Sequence, residues 1–124
     1  MIISALVFPR FTGVLSRLQV EGDARQLAYT LRCARQEAVT SGSYKAVVFY
    51  FDDNTYRYNN QFYSFNRGTT YVVTNFNSFY GGRNACIFLP DGTSSAAGRV
   101  TIKCQNIYKS VIVLNTTGRI RVED

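Results

Sequence analysis

Apolar residues recur at mostly three- and four-residue steps between Val14 and Ser41. Leu15, Leu18, Leu27, Leu31, Ala34 and Ala38 form a discontinuous stripe, with Arg17, Glu21, Arg25, Arg32, Arg35 and Glu37 supplying a charged remainder. That period predicts an amphipathic α-helix. Gly22 weakens its middle and marks a bend, and Gly42 within Ser41-Gly42-Ser43 caps its C-terminal end. The preceding segment, Met1 to Phe8, is apolar but far shorter than the about 20 residues that span a bilayer. It has neither the basic start nor the small-residue cleavage site of a signal peptide. It reads as the end of a longer apolar helix, with Pro9 and Arg10 at a membrane exit. Away from those surroundings, Met1 to Phe8 is expected to be exposed or held by a contact with another molecule.

After Ser43 the pattern shortens to that of β-strands. Lys45 to Phe51 is rich in Val and aromatics on both faces, which predicts a strand covered on both sides. Asp52-Asp53-Asn54 turns the chain into Thr55–Tyr58, and Gln61–Phe65 and Thr69–Thr74 follow around Asn66-Arg67-Gly68. Asn75 to Asn84 is polar, with Gly81-Gly82 as a breaker. Ala85–Leu89, Val100–Cys104, Lys109–Leu114 and Arg119–Val122 complete the series, separated by turns at Pro90-Asp91-Gly92 and Asn115 to Gly118. The order is α+β: one long helix laid on antiparallel sheet of seven or eight short strands, in two small sheets. No repeat and no linker divides the chain, so the helix (residues 1–42) and the β-rich head (residues 43–124) form one domain.

Composition narrows the chemistry. The 124 residues include no His, which removes the usual acid/base group near neutral pH and the imidazole metal ligand. Ser94 and Ser95 therefore have no His base, and no motif calls for a cofactor or a metal. Asp52, Asp53 and Asn54 lack the alternating ligands of a calcium loop and read as a hairpin turn. The three Cys form no CxxC pair. If the arms around Pro90–Arg99 form a hairpin, Cys86 and Cys104 face each other; a cross-strand disulfide and two small buried residues are both open readings. Cys33 is left over on the helix.

The net charge of +6 suits either solubility or an acidic partner. Arg119 and Arg121 are two apart on an expected strand and project from one face, about 7 Å apart, near the spacing of successive phosphates. Arg99, Lys103 and Lys109 extend that patch if their strands are neighbours. The plainer reading is a solvated terminal strand whose arginines pair with Glu123, Asp124 or another subunit. Tyr56, Tyr58, Tyr63, Tyr71 and Tyr80 suit cross-strand packing better than base stacking.

Three stretches carry a family resemblance. Leu31–Val39 (LRCARQEAV) is similar to an ARxEA helix end, Phe88–Gly92 (FLPDG) to an F-x-P-D-G turn, and Gly118–Val122 (GRIRV) to a GR-x-R strand. Together, and in this spacing, they resemble the GspH/FimT family of type II secretion pseudopilins and type IV minor pilins. The family's prepilin signature (a cleaved Gly, a methylated Phe and a nearby Glu) is not in this sequence. The resemblance implies a non-enzymatic subunit that primes or caps a filament of other pilins or pseudopilins. It implies a precursor processed by prepilin peptidase and held in the bacterial inner membrane by its N-terminal helix, then a periplasmic or extracellular filament. There the helices exchange lipid for helix–helix packing through residues such as Leu15, Leu18, Leu27 and Leu31. Some members of the FimT branch bind DNA during uptake, so DNA bound at the GR-x-R strand is the alternative partner.

Overall fold

The computed structural model describes residues 2–66, 68–74, 79–80, 83–95, 97–114 and 117–123, with side chains from residue 15 onward except at 73, 79 and 80. The expected exposure of Met1 to Phe8 lies outside the described side chains. Helix α1 spans Ile2–Ser41 and runs through Pro9 and Gly22. It ends where the Gly42 amide donates to the Ala38 carbonyl at 3.0 Å and Gly42 takes a φ of 67°, the left-handed cap that Cβ-bearing residues resist.

The buried stripe of α1 differs from the expected one at its start. Val20, Ala24, Leu27, Leu31, Ala34 and Ala38 are fully buried, at alternating four- and three-residue steps. Leu15 and Leu18 are 48% and 58% exposed. At 3.6 residues per turn these two fall on the opposite side of the helix from Leu27 and Leu31. The Leu-based stripe was out of phase there, and Val20 and Ala24 were the residues that carried it on.

Among the described residues nine strands follow: β1 (Lys45–Tyr50), β2 (Thr55–Tyr58), β3 (Gln61–Ser64), β4 (Thr69–Thr74), β5 (Phe79–Tyr80), β6 (Arg83–Phe88), β7 (Gly98–Cys104), β8 (Ile107–Val113) and β9 (Ile120–Glu123). The two-residue β5 lies within Asn75 to Asn84, where no strand is expected. All pairings are antiparallel, in two sheets ordered β3-β2-β1-β6-β5 and β4-β7-β8-β9. Asn59 and Asn60, with φ of 56° and 64°, make the two-residue β2–β3 turn, where positive φ at both central positions matches the twist of the strands. Helix α1 packs on β1 and β6 of the first sheet and on β7, β8 and β9 of the second, so one helix spans both. The core joins Leu27 and Leu31 to Phe49, Tyr56, Phe88, Ile102 and Val111.

The Pro90–Arg99 hairpin is not formed. Strands β6 and β7 lie in different sheets, Cys86 opposite Val47 and Cys104 opposite Thr69 and Ile107. The segment after β6 instead folds back on that strand: the Ser95 amide donates to the Ile87 carbonyl at 2.8 Å and Ser94 bridges Phe88. It then crosses to the second sheet. Cys86 and Cys104 are buried free thiols, and Cys86 lies 3.7 Å from the Ser94 hydroxyl. Cys86 and Cys104 are not cross-strand partners because the tight turn after β6 folds back on that strand and does not lead into β7.

Candidate functional site

Alternation along β7 and β9 sets the basic face. In β7, Val100, Ile102 and Cys104 point inward, so Arg99, Thr101 and Lys103 point out. In β9, Ile120 points inward, leaving Arg119 and Arg121 exposed on the outer side. Register aligns Arg99, Ile112 and Arg121 in one row across β7, β8 and β9. Arg119, Arg121, Arg99 and Lys103 therefore share one face. That face is not purely cationic: Glu123 accepts Arg121 at 2.9 Å and lies 3.8 Å from Arg99.

Lys109 does not belong to this face. It opposes Ile102 on the inner side of β8, is 8% exposed, and its Nζ lies 3.4 Å from the Glu21 carboxylate of α1. A Lys at this parity has its charge satisfied by the helix instead of being offered to solvent. The expected patch therefore loses Lys109, because its position on β8 has inward parity.

A second cluster sits where α1 meets the ends of both sheets. Arg35 Nε donates to the Gly92 carbonyl at 2.9 Å, and Arg32 Nη2 donates to the Ile120 carbonyl at 3.1 Å. Gly118, with φ of 68°, packs directly on this spot. A Cβ there would collide with the Gly92 oxygen and come within 2.8 Å of Arg35 Nε. Gly92, with φ of 90°, lies against Val39 and Arg35 in turn. The three stretches singled out in the sequence thus meet at one point: the helix end supplies Arg35, the PDG turn Gly92, and the GR strand Gly118. Asp91 tightens the turn by accepting the Thr93 amide at 3.0 Å and the Thr93 hydroxyl at 2.6 Å, bonds that hold its carboxyl below the usual range.

The family sequence model described as type II transport protein GspH matches residues 23–118, a span containing two of these stretches and the glycine of the third. The chain belongs to the GspH family. Members of that pseudopilin family are structural subunits and not enzymes. Among solved structures, the minor pseudopilin EpsH from the type 2 secretion system of Vibrio cholerae has the same fold, with a TM-score of 0.68 and 14% identity over 85% of this chain and 96% of that one. No curated protein matches the sequence.

The GspH-family domain has a further tie that the sequence did not suggest. Asp23, buried on α1, accepts the Asn66 backbone amide at 3.2 Å to each oxygen and the Asn66 side-chain amide at 3.0 Å. Burial raises its pKa, against bonds to Thr69 and Asn66 that lower it. The only signal was an acidic residue in phase with the apolar stripe. The tyrosines behave as packing: Tyr56 stacks on Tyr63 with centroids 5.3 Å apart, and Tyr71 lies edge-on to Phe51 and Phe65 at 4.8 and 4.9 Å. Burial pushes Tyr56 up to about 12. The Tyr80 side chain lies outside the described residues. Among the described residues no group of His, Cys, Asp and Glu is placed to hold a metal, and no helix is long and apolar enough to cross a membrane.

Proposed function

We propose that this chain is a minor pseudopilin of a type II secretion filament, priming or capping its assembly through the free side of α1. The observation that carries this reading is the division of the helix. Its inner stripe is consumed by the domain's own core, while Leu15, Leu18 and Tyr29 stay exposed on the other side. Leu27 and Leu31 are fully buried and cannot face a neighbour, which leaves Leu15 and Leu18 as the assembly residues. Support also comes from the family and from the likeness to EpsH, described as a minor pseudopilin. In this reading the precursor is anchored in the inner membrane by its N-terminal helix, is processed and methylated there, and then joins other pseudopilins in the periplasm. The test is Leu15→Lys with Leu18→Lys in the full-length protein, in cells that depend on its system. Secretion should fall severely while the soluble domain keeps its stability; unchanged secretion would refute the assignment.

A second reading is favoured by the shared face of Arg99, Lys103, Arg119 and Arg121. These cations would bind DNA weakly and without sequence preference, in a competence pilus, mostly by phosphate neutralisation and hence with steep salt dependence. Glu123 opposes this by pairing with two of the four. A fluorescence titration at low salt decides it. The double change Arg119→Ala and Arg121→Ala should remove most binding, and equal binding by wild type and variant would end the DNA reading.

A further inference from the structure

The knot at the end of α1 also encloses space. A pocket of about 380 Å³ is lined by Arg32, Arg35, Thr117, Gly118, Arg119 and Ile120. Three of these six residues carry guanidinium groups, and no carboxylate lines the pocket among the described residues. Arg32 and Arg35 are fixed in place by one backbone carbonyl each, which uses one donor of the five that a guanidinium has. That anchoring lowers the entropy cost that a fully mobile arginine would pay on binding. Arg119 and Thr117 are exposed beside them, so the pocket has an accessible side.

We propose that this pocket binds an oxyanion bearing more than one negative charge, of the phosphate type. Three like charges gathered around one cavity repel one another, and a multiply charged anion removes that repulsion while accepting several charge-assisted hydrogen bonds. A single carboxylate would leave most of the cluster's charge unmatched. The pocket meets the outer sheet face at Arg119 alone: Arg121, Arg99 and Lys103 do not line it, and Arg32 and Arg35 come from the helix.

The experiment is thermal unfolding of the domain with inorganic phosphate, against sodium chloride at equal ionic strength and pH. Sodium acetate and glycerol 3-phosphate form two further arms. Wild type should gain stability with phosphate in a saturable way, and acetate should do no more than chloride. Arg119→Gln should weaken the phosphate effect about tenfold, the size expected for one hydrogen bond between charged groups. Arg121→Gln, outside the pocket, should leave the effect intact. Glycerol 3-phosphate acting more strongly than inorganic phosphate would identify the head group of a larger ligand, and equal action a free anion. No stabilisation beyond chloride, or an equal effect in Arg119→Gln confirmed as folded by circular dichroism, would overturn the proposal. Failure of Arg121→Gln alone would shift the site to the sheet face.

Discussion

Asp23 shows how much a single side chain can hide in an amphipathic pattern. Its phase places it with Val20, Leu27 and Leu31, and it satisfies that inward position by taking three hydrogen bonds from Asn66. Partners more than forty residues away are invisible to a local pattern, so neither the buried carboxylate nor its role as a tie to the loop before β4 was legible. Because burial raises its folded pKa, the native state holds this proton more tightly than the unfolded chain does. Its contribution is therefore fully present below the unfolded carboxyl range and is lost as pH rises through the folded value. Urea unfolding at a series of pH values should show wild type gaining stability relative to Asp23→Asn as the pH is lowered from neutral; a flat or opposite difference would show that burial does not dominate. Gly92 and Gly118 were legible as turn glycines, but their contact with one arginine was not, since it depends on two turns in different sheets coming together.

At the scale of elements, the long helix and the antiparallel strands were readable from period and turn chemistry; two sheets were expected, but not that β6 and β7 lie in different ones. Phase was less legible than element type. Leucines mark an apolar stripe well, but Val20 and Ala24 held it where the leucines had left, and Lys109 sat on an inward parity that its charge disguised. Phase has energetic consequences that distinguish the two kinds of leucine. Leu27→Ala should cost about 2–5 kcal/mol, as for any large side chain removed from a packed core. Leu18→Ala, on the exposed side, should stay within about 0.5 kcal/mol of wild type. Denaturant midpoints for the two variants provide the check, and similar losses would mean that the helix is rotated from its described position.

For the whole molecule, the crossing from β6 to β7 matters most, because it separates Cys86 from Cys104 and brings the PDG turn to the helix end. Burial pushes the Cys86 thiol up to about 12, so it stays protonated and inert in the native state. Cys104 is buried as well, whereas Cys33 is partly exposed. A thiol reagent should therefore modify one of the three cysteines in the folded protein and all three in denaturant; rapid native labelling at Cys86 would contradict its burial. The Arg32 bond to Ile120 joins residues 88 positions apart, and the inner stripe of α1 rests on β9 as well as on β1. On a ribosome the helix emerges before every strand that covers it, and β9 follows the other eight described strands. Until β9 follows, the nascent helix carries an apolar stripe that its own fold cannot fully cover, so completion of the core waits on the last of these strands.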